Sequence, residues 1–120
     1  MDINFLFDVI KESKSKDAII WKDKSYSYER LSNMINQCEE LLDSEKVVTE
    51  MVVAIKSDFS PHTIAMFLAL IDRSCIIVPL TNTRKNNEDE LLSIAQVNFI
   101  INIDEDDIIT SNRNSNNVDN

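Results

Sequence analysis

The sequence predicts an α/β fold built on a partial doubly wound, mostly parallel sheet flanked by helices. Its strand candidates at 47–55 and 75–78 are continuous apolar runs rather than alternating ones. Such runs are typical of strands that are covered on both faces, as in parallel sheets. Helical patterns lie between these strand candidates, and that alternation is the pattern of an α/β domain.

The first elements are a helix and a hairpin. Apolar residues at helical spacing predict an amphipathic helix from Asn4 to about Ser13. Two short strands at 18–21 and 25–28 are predicted to follow, and the polar residues between them form a tight turn without the usual Asn-Gly or Asp-Gly pair.

The next element is a long amphipathic helix that begins after Ser27, a suitable N-cap. Its apolar positions follow the i, i+3, i+4, i+7 spacing of one helix face. They are Leu31, Met34, Ile35, Cys38, Leu41 and Leu42.

From Val47 onward, the sequence predicts two buried strands with a helix between them. A strand within Val47–Ile55 leads to a helix that Ser60 caps and that has Pro61 in its first turn. The Cys75–Val78 strand is predicted to be central, buried on both faces and ended by Pro79. The predicted apolar stripe of the helix is Ile64, Phe67, Leu68 and Ile71, with Ala65 and Ala69 allowing close approach.

The remaining chain is predicted to contain a polar loop at Thr81–Asn87, a short helix at Glu88–Gln96 and a last strand at Asn98–Ile103. The folded unit is therefore expected to be residues 1–103. Residues 104–120 are acidic and then rich in Asn and Ser, so they are expected to be a flexible tail or linker.

The net charge restricts the classes of binding partner. The net charge is -9, with 21 acidic residues against 12 basic ones, which argues against nucleic acid and anionic membrane surfaces. No apolar run approaches the ~18–20 residues that span a bilayer. The chain opens with an acid rather than a basic leader, so a cytoplasmic location is expected.

Glycine is absent, although an average chain of this length has about eight. Phosphate-cradling loops need glycine where the backbone turns its N–H groups toward the anion. The sequence therefore excludes nucleotide sites of the GxGxxG and GxxxxGK[ST] types.

Few residues are candidates for chemistry. His62 is the one histidine, and a first-turn surface or packing role is favoured over a catalytic base. The acidic run Asp104–Asp107 is interpreted as a solvated charge run in preference to a cation site. Asp43-Ser44 only faintly resembles a carrier-protein serine, because Ser44 is expected to end a helix.

The cysteines are interpreted as structural. Cys38 and Cys75 lie far apart inside apolar patterns, with no CxxC pair and no set of zinc ligands. Buried free thiols are therefore expected rather than a disulfide or a metal site.

Two segments carry a family resemblance. They are the strand–helix junction Lys24–Leu31 and the helix–strand segment Ala69–Leu80, which ends in Val-Pro-Leu. In this order, with a buried strand and a Ser-Pro helix between them, they resemble the start of adenylate-forming ligases. That superfamily includes acyl-CoA synthetases, peptide-synthetase adenylation domains and luciferases. The resemblance covers residues 3–103, the opening of an enzyme that is several times longer.

The resemblance implies a parent enzyme that uses ATP and Mg²⁺ to activate a carboxylic acid as an acyl-adenylate, and then transfers it to a thiol of CoA or a carrier protein. No residue here matches a catalytic, cofactor-binding or metal-binding position of the family, so none is assigned and this chain is expected to bind no cofactor. Glu50 and Ser74 replace glycines of the family, so both junctions are expected to differ.

Two functions follow. The first is an N-terminal ligase fragment that is inactive alone, with the remainder of the enzyme or a second copy as its partner. The second is a free-standing α/β interaction module that keeps the scaffold without the chemistry. A continuation of the reading frame into a glycine-rich phosphate loop would distinguish the first from the second.

Overall fold

The computed structural model describes residues 15–80 and 96–114, together with Asp8, Val9 and Glu12. It confirms the α/β fold, a mixed sheet with two helices. The elements in chain order are β1 (Asp17–Trp21), β2 (Lys24–Ser27), α1 (Tyr28–Ser44), β3 (Val52–Ser57), α2 (Pro61–Asp72), β4 (Ile76–Leu80), β5 (Phe99–Ile103) and β6 (Ile109–Arg113).

The main sheet has four strands in the order β4-β3-β5-β6. β3 is parallel to both β4 and β5, and Ile55 faces Pro79 on one side and Ile101 on the other. β6 is antiparallel to β5. β3 is therefore central, and Val53, Ala54 and Ile55 at its middle are fully buried.

The prediction that the Cys75–Val78 strand is central and buried on both faces is wrong. Among the described strands β4 lies at an edge, and 53% of Ile76 is exposed. The strand also continues through Pro79 to Leu80, because a proline without an N–H is tolerated in an edge strand. An apolar run shows that a strand packs against something, but it does not give the strand order.

The prediction that the folded unit ends at Ile103 is also wrong. Ile109–Arg113 forms β6, whose register pairs Ile103 with Ile109 and Phe99 with Arg113. Asn114 is buried, and its side chain donates to the Val97 carbonyl at 2.9 Å. The polar composition misled the prediction, because an antiparallel edge strand needs few apolar residues. Residues 115–120 lie outside the described residues.

The hairpin of β1 and β2 is confirmed as a separate two-stranded antiparallel sheet. Lys22 and Asp23 form its turn with φ values of 50° and 64°, as a two-residue hairpin turn requires. The predicted N-terminal helix lies outside the described residues except for Asp8, Val9 and Glu12, which are helical. The loop and helix predicted at 81–96 also lie outside them, apart from Gln96.

The structure confirms the long amphipathic helix predicted after Ser27, which is α1. Ser27 caps it, accepting a hydrogen bond from the Arg30 backbone N–H at 3.1 Å, which satisfies one donor that the first turn leaves free. The buried side chains of α1 are Leu31, Met34, Ile35, Cys38 and Leu42. The predicted Leu41 is partly buried against the same core.

Helix α2 begins as predicted, with Ser60 accepting from the Thr63 backbone N–H at 3.2 Å and Pro61 in the first turn. Its predicted apolar stripe is wrong, because the face of Ala65, Met66, Ala69 and Leu70 is the fully buried one. Three residues of the predicted stripe, Ile64, Phe67 and Leu68, are only partly buried against the core. This helix is apolar on most of its circumference, so periodicity could not select the face.

Both helices end in a left-handed residue that is not glycine. Lys46 (φ 59°) follows α1 and Ser74 (φ 59°) follows α2. After α1 the Val47 N–H donates to the Leu42 carbonyl, and after α2 the Cys75 N–H donates to the Leu70 carbonyl. This is the hydrogen bond of a Schellman motif, where glycine is usual.

Glu50 and Ser74, the two residues expected to replace glycines, both have a positive φ, 72° for Glu50 and 59° for Ser74. The Glu50 N–H also donates to the Ser74 carbonyl at 3.0 Å. A left-handed conformation costs a residue with a side chain about 1–2 kcal/mol, a cost that glycine avoids.

The core lies between the helices, the hairpin and one face of the sheet, and it includes Ile19 and Tyr26 of the hairpin. A smaller cluster of Ala54, Leu80 and Val97 covers the other face. No helix in the described part of the chain is long and apolar enough to cross a membrane.

Candidate functional site

Three loops meet at the end of the main sheet where β3 and β5 finish. They are the β1–β2 turn, the loop from Ser57 to Ser60 that starts α2, and the β5–β6 turn, which comprises residues 104–108. The carboxyl ends of parallel strands are where open α/β sheets bind their ligands. This end of the sheet is therefore the first place to look for a site.

His62 and Asp107 join two of these loops. The imidazole Nδ1 lies 2.8 Å from Asp107 Oδ2, and the His62 backbone N–H also donates to the same carboxylate at 3.2 Å. The two side chains are 26% and 10% exposed. The ring contact and the backbone donor together hold the imidazole against the Asp107 carboxylate. His62 lies in the first turn of α2, as predicted, and its partner was not predicted.

The acidic run Asp104–Asp107 shapes a turn. Asp104 Oδ1 accepts from the backbone N–H groups of Asp106 at 2.9 Å and Ile108 at 3.0 Å. Asp107 adopts a left-handed conformation, with φ 65°, that brings its carboxylate to His62. No group of three or more His, Cys, Asp or Glu side chains is arranged to hold a metal ion among the residues described.

Hydroxyl groups tie the start of α2 to the end of β3. Thr63 Oγ1 lies 2.8 Å from Ser60 Oγ, 2.9 Å from the Asp58 carbonyl oxygen and 3.1 Å from Ser57 Oγ. Ser60 and Thr63 are buried. Their hydroxyls are satisfied by one another and by the loop, so this cluster holds the helix start in place.

The hairpin turn is clasped to both neighbouring loops. Trp21 donates its indole N–H to the Phe59 carbonyl at 3.1 Å, and Lys22 Nζ donates to the Glu105 carbonyl at 2.7 Å. The Lys22 ammonium also lies 4.6 Å from the centre of the Trp21 ring. A cleft of about 230 Å³ lies here, walled by Trp21, Phe59 and the acids Asp58, Asp104 and Glu105.

A larger depression of about 510 Å³, here called the hairpin groove, runs between the hairpin, α1 and the β5–β6 turn. His62 lines it together with Trp21, Tyr26, Lys24 and Arg30. The Arg30 guanidinium lies 4.3 Å from the centre of the Tyr26 ring. The groove therefore combines aromatic surface, two cations, the His62 imidazole and the carboxylates of Asp106 and Asp107.

Both cysteines are free thiols, as predicted. Burial raises the pKa of Cys38 to about 12, and the charges of Glu39 and Asp107 add to the rise. Burial also raises the pKa of Cys75, which is only half-buried. Neither thiol is activated, because a nucleophilic cysteine needs a lowered pKa.

Alkylation of the folded chain at pH 8 should modify Cys75 slowly and leave Cys38 intact, because Cys38 is 1% exposed. Unfolding in urea should make both react at similar rates. Mass spectrometry of the labelled peptides measures both, and equal labelling of the two cysteines in the folded chain would contradict the structure.

The raised pKa of Cys38 also predicts an alkaline limit. Its ordinary value is 9.0 and its folded value about 12, so the unfolded state loses this proton first. The buried thiol stabilises the fold below pH 9, and that contribution is lost as the pH rises from 9 to 12. A Cys38→Ala variant should lose less stability over that interval than the parent chain does.

A second ionic cluster lies away from this end of the sheet. Arg73, just after α2, reaches Glu39 Oε1 at 3.0 Å and Asp43 Oδ1 at 2.7 Å on α1. Ser44 is the last residue of α1, as predicted, and its hydroxyl donates to the Leu41 carbonyl at 2.8 Å. Asp43-Ser44 is therefore the end of a helix, where the serine of a carrier protein begins one.

The His62–Asp107 pair was missed because its members are 45 residues apart and Asp107 was placed in a flexible tail. The signal available was Ile108-Ile109-Thr110, a short apolar segment after an acidic turn. Treating it as a returning strand would have placed the turn beside the start of α2.

This arrangement of sheet and helices is similar in fold to the N-terminal subdomain of Klebsiella oxytoca NpsA, and the match agrees with the fold that the resemblance implied. No protein-family model matches the sequence, and a search of curated proteins found no match.

Three solved structures illustrate the likeness. The Klebsiella oxytoca NpsA N-terminal subdomain in complex with anthranilyl-AMSN has a TM-score of 0.74 at 25% identity, over 83% of this chain and 27% of that chain. NpsA in complex with 3-hydroxyanthranilyl-AMSN gives 0.76 at 24%, over 88% and 22%. VinN gives 0.78 at 22%, over 87% and 27%. This chain thus spans less than a third of each.

Proposed function

We propose that this chain is the N-terminal portion of an ATP-dependent, AMP-forming acid ligase, which activates a carboxylic acid as an acyl-adenylate. The observation that supports the proposal is the shared fold, with TM-scores of 0.74 and 0.76 to NpsA structures over 83% and 88% of this chain. The two sequence segments of the resemblance, Lys24–Leu31 and Ala69–Leu80, independently favour the same family.

The chemistry is assigned to segments downstream of residue 120. ATP and Mg²⁺ would be held there, because a phosphate loop needs glycine and this chain has none. Adenylation needs cations and N–H donors around the reacting phosphorus. The role proposed for residues 15–80 and 96–114 is to provide a folded platform on which that part of the enzyme assembles.

The acceptor of the acyl group is proposed to be a thiol. One similar structure is an artificially fused adenylation–PCP di-domain from Klebsiella oxytoca, at 24% identity over 20% of that chain. This supports a carrier-protein thiol as the acceptor, with the thiol of CoA as the other candidate. Another similar structure is VinN with 3-methylaspartate, which fits a small carboxylic acid as the substrate class.

A free-standing interaction module is the second candidate, and one observation favours it. Every buried side-chain nitrogen or oxygen in the described residues has a hydrogen-bond partner, as in a self-contained fold. A ligase fragment, in contrast to such a module, is expected to associate with the rest of its enzyme. When it is alone, it is expected to associate with a second copy through a sheet edge.

The 120-residue chain alone should not bind ATP-Mg²⁺ measurably. Its described residues hold no metal cluster, and its sequence holds no phosphate loop. Calorimetric titration should give no dissociation constant below roughly 100 µM, equivalent to about -5.5 kcal/mol. Tighter binding would contradict the fragment proposal and favour an independent module.

The decisive experiment extends the reading frame. The coding sequence of the native source is read beyond residue 120, and its complete product is tested for carboxylate-dependent exchange of pyrophosphate into ATP. We expect the downstream sequence to contain a glycine-rich phosphate loop. We also expect pyrophosphate exchange to require both the 120-residue chain and the downstream part of the enzyme. A frame that ends near residue 120, with a stable monomeric product, would overturn the proposal.

A further inference from the structure

The two edges of the main sheet present different backbone groups. β4 and β6 are the outer strands among those that the structure describes. Successive residues of a strand direct their backbone N–H and C=O groups to opposite sides, so every second residue bonds the neighbouring strand and the others point away from the sheet. Which residues point away therefore decides what each edge offers to another strand.

A proline interrupts the edge at β4. The Ile76 N–H donates to the Met51 carbonyl at 2.9 Å, which places the even-numbered residues of β4 against β3. Ile77 and Pro79 consequently direct their backbones outward. Since Pro79 has no N–H, Ile77 is left with the one outward donor of β4. A proline at an outward position protects an edge strand from pairing, so β4 is a poor template for another strand.

The edge at β6 has no such interruption. The Asn114 N–H donates to the Asn98 carbonyl at 3.1 Å. At the turn between the strands, the Asp104 N–H donates to the Ile108 carbonyl, also at 3.1 Å. In the antiparallel register of β5 and β6, these bonds place the even-numbered residues of β6 against β5. The residues whose backbones point outward are therefore Ile109, Ser111 and Arg113.

All three outward residues of β6 keep an N–H, because the strand contains no proline. Its edge thus offers an unbroken row of donors and acceptors, and such a row is a template for another strand. In the described part of the chain no strand lies on that side, and Thr110, Asn112 and Arg113 are exposed. The Arg113 guanidinium donates to the Glu45 carbonyl at 2.9 Å, which holds the end of β6 against the end of α1.

A second copy of the same strand fits this row. An antiparallel pairing centred on Ser111 sets Ser111 opposite its equivalent and Ile109 opposite Arg113 of the second copy. Each of these pairs can exchange two hydrogen bonds, so no outward N–H or C=O of β6 stays unpaired. The pairing has twofold symmetry and therefore closes as a dimer rather than growing into a fibre.

Charge also favours this pairing. The acidic turn of residues 104–107 precedes β6, and Arg113 ends the strand. An antiparallel second copy brings each Arg113 toward the acidic turn of the other chain, and cross-strand neighbours of opposite charge attract. A parallel pairing would instead set the two acidic turns side by side.

We propose that β6 is a pairing edge through which two copies of this chain join their main sheets, antiparallel and centred on Ser111, into one continuous sheet. The proposal rests on the backbone of residues 98–114 and does not depend on the proposed ligase activity. A dimer of the 120-residue chain would therefore leave the question of that activity open, and the two proposals can fail separately.

Sedimentation velocity of the 120-residue chain at concentrations up to about 1 mM tests the proposal. We expect a mass that rises with concentration from 13.8 kDa toward twice that value. Ser111→Pro removes the central outward N–H without removing a bond to β5, and should weaken the dimer at least about tenfold. Ser111→Ala keeps that N–H and should associate like the parent chain. Circular dichroism checks that both variants remain folded.

Cross-linking tests the register, and it decides the question even if Ser111→Pro does not fold. In a Cys75→Ala background, which leaves only the buried Cys38, Ser111→Cys should form an intermolecular disulfide on mild oxidation, because the paired Cα atoms lie about 5.5 Å apart. The two residues of an Asn112→Cys pair are diagonal neighbours about 7–8 Å apart, beyond the ordinary reach of a disulfide, and should cross-link more slowly.

Three results would overturn the proposal. The first is a chain that stays monomeric at about 1 mM, which would leave β6 to a downstream segment. The second is equal association of Ser111→Pro and Ser111→Ala when both are folded. The third is cross-linking of Asn112→Cys as fast as that of Ser111→Cys.

Discussion

Replacing Ile101 with Asp should abolish folding of the chain. Ile101 is 0% exposed at the middle of β5 and lies between Ile55 of β3 and Ser111 of β6. A carboxylate there would be buried without a partner, which costs several kcal/mol. The total stability of a domain is only about 5–15 kcal/mol. Circular dichroism should show no cooperative melting transition for this variant.

The matched control is Ile20→Asp, in β1, where the same side chain is 69% exposed. It should change the free energy of unfolding by less than about 0.5 kcal/mol. Ile77→Asp should fall between the two, because Ile77 is half-buried in edge strand β4. If the Ile101→Asp variant melted like the parent chain, β5 would not be an inner strand of the sheet.

What the sequence could predict depended on local signals. Helix α1 was predictable because its apolar residues lie on one face, and the caps Ser27 and Ser60 were predictable because few residue types accept a hydrogen bond there. The buried face of α2 was not predictable, because the helix is apolar on most sides. Strand order was not predictable either, since it depends on pairings between distant segments.

The candidate site was harder to predict than the fold. His62 was visible as the one histidine, but its role depends on Asp107, which β6 brings to the start of α2. That pairing is tertiary, so spacing alone could not supply it.

Arg73→Met should have the second largest effect, a loss of about 2–3 kcal/mol of unfolding free energy at pH 7. Arg73 donates to the Val47 carbonyl at 2.9 Å and pairs with Glu39 and Asp43, which ties the end of α2 to α1. Hydrogen bonds to charged groups contribute about 1.5–3 kcal/mol. Methionine keeps the apolar stem and removes only the charge and the donors. Urea unfolding measures the loss.

The unfolding free energy that Arg73→Met loses relative to the parent chain should become smaller as the pH falls. This pH dependence distinguishes an electrostatic loss from a packing defect. Burial and a hydrogen bond with Asp72 raise the pKa of Glu39 above its ordinary 4.5, against the lowering effect of Arg73. Removing Arg73 raises that pKa further. Protonated Glu39 then stabilises the fold fully below its unfolded pKa, and this stabilisation is lost as the pH rises through the folded pKa. The variant should therefore be closest to the parent chain near pH 4. Asp43→Asn, at a side chain that is 72% exposed, should cost less than about 1 kcal/mol. A loss of stability that is the same at pH 4 and pH 7 would show that Arg73 acts through packing and its hydrogen bond to the Val47 carbonyl, and not through the two carboxylates.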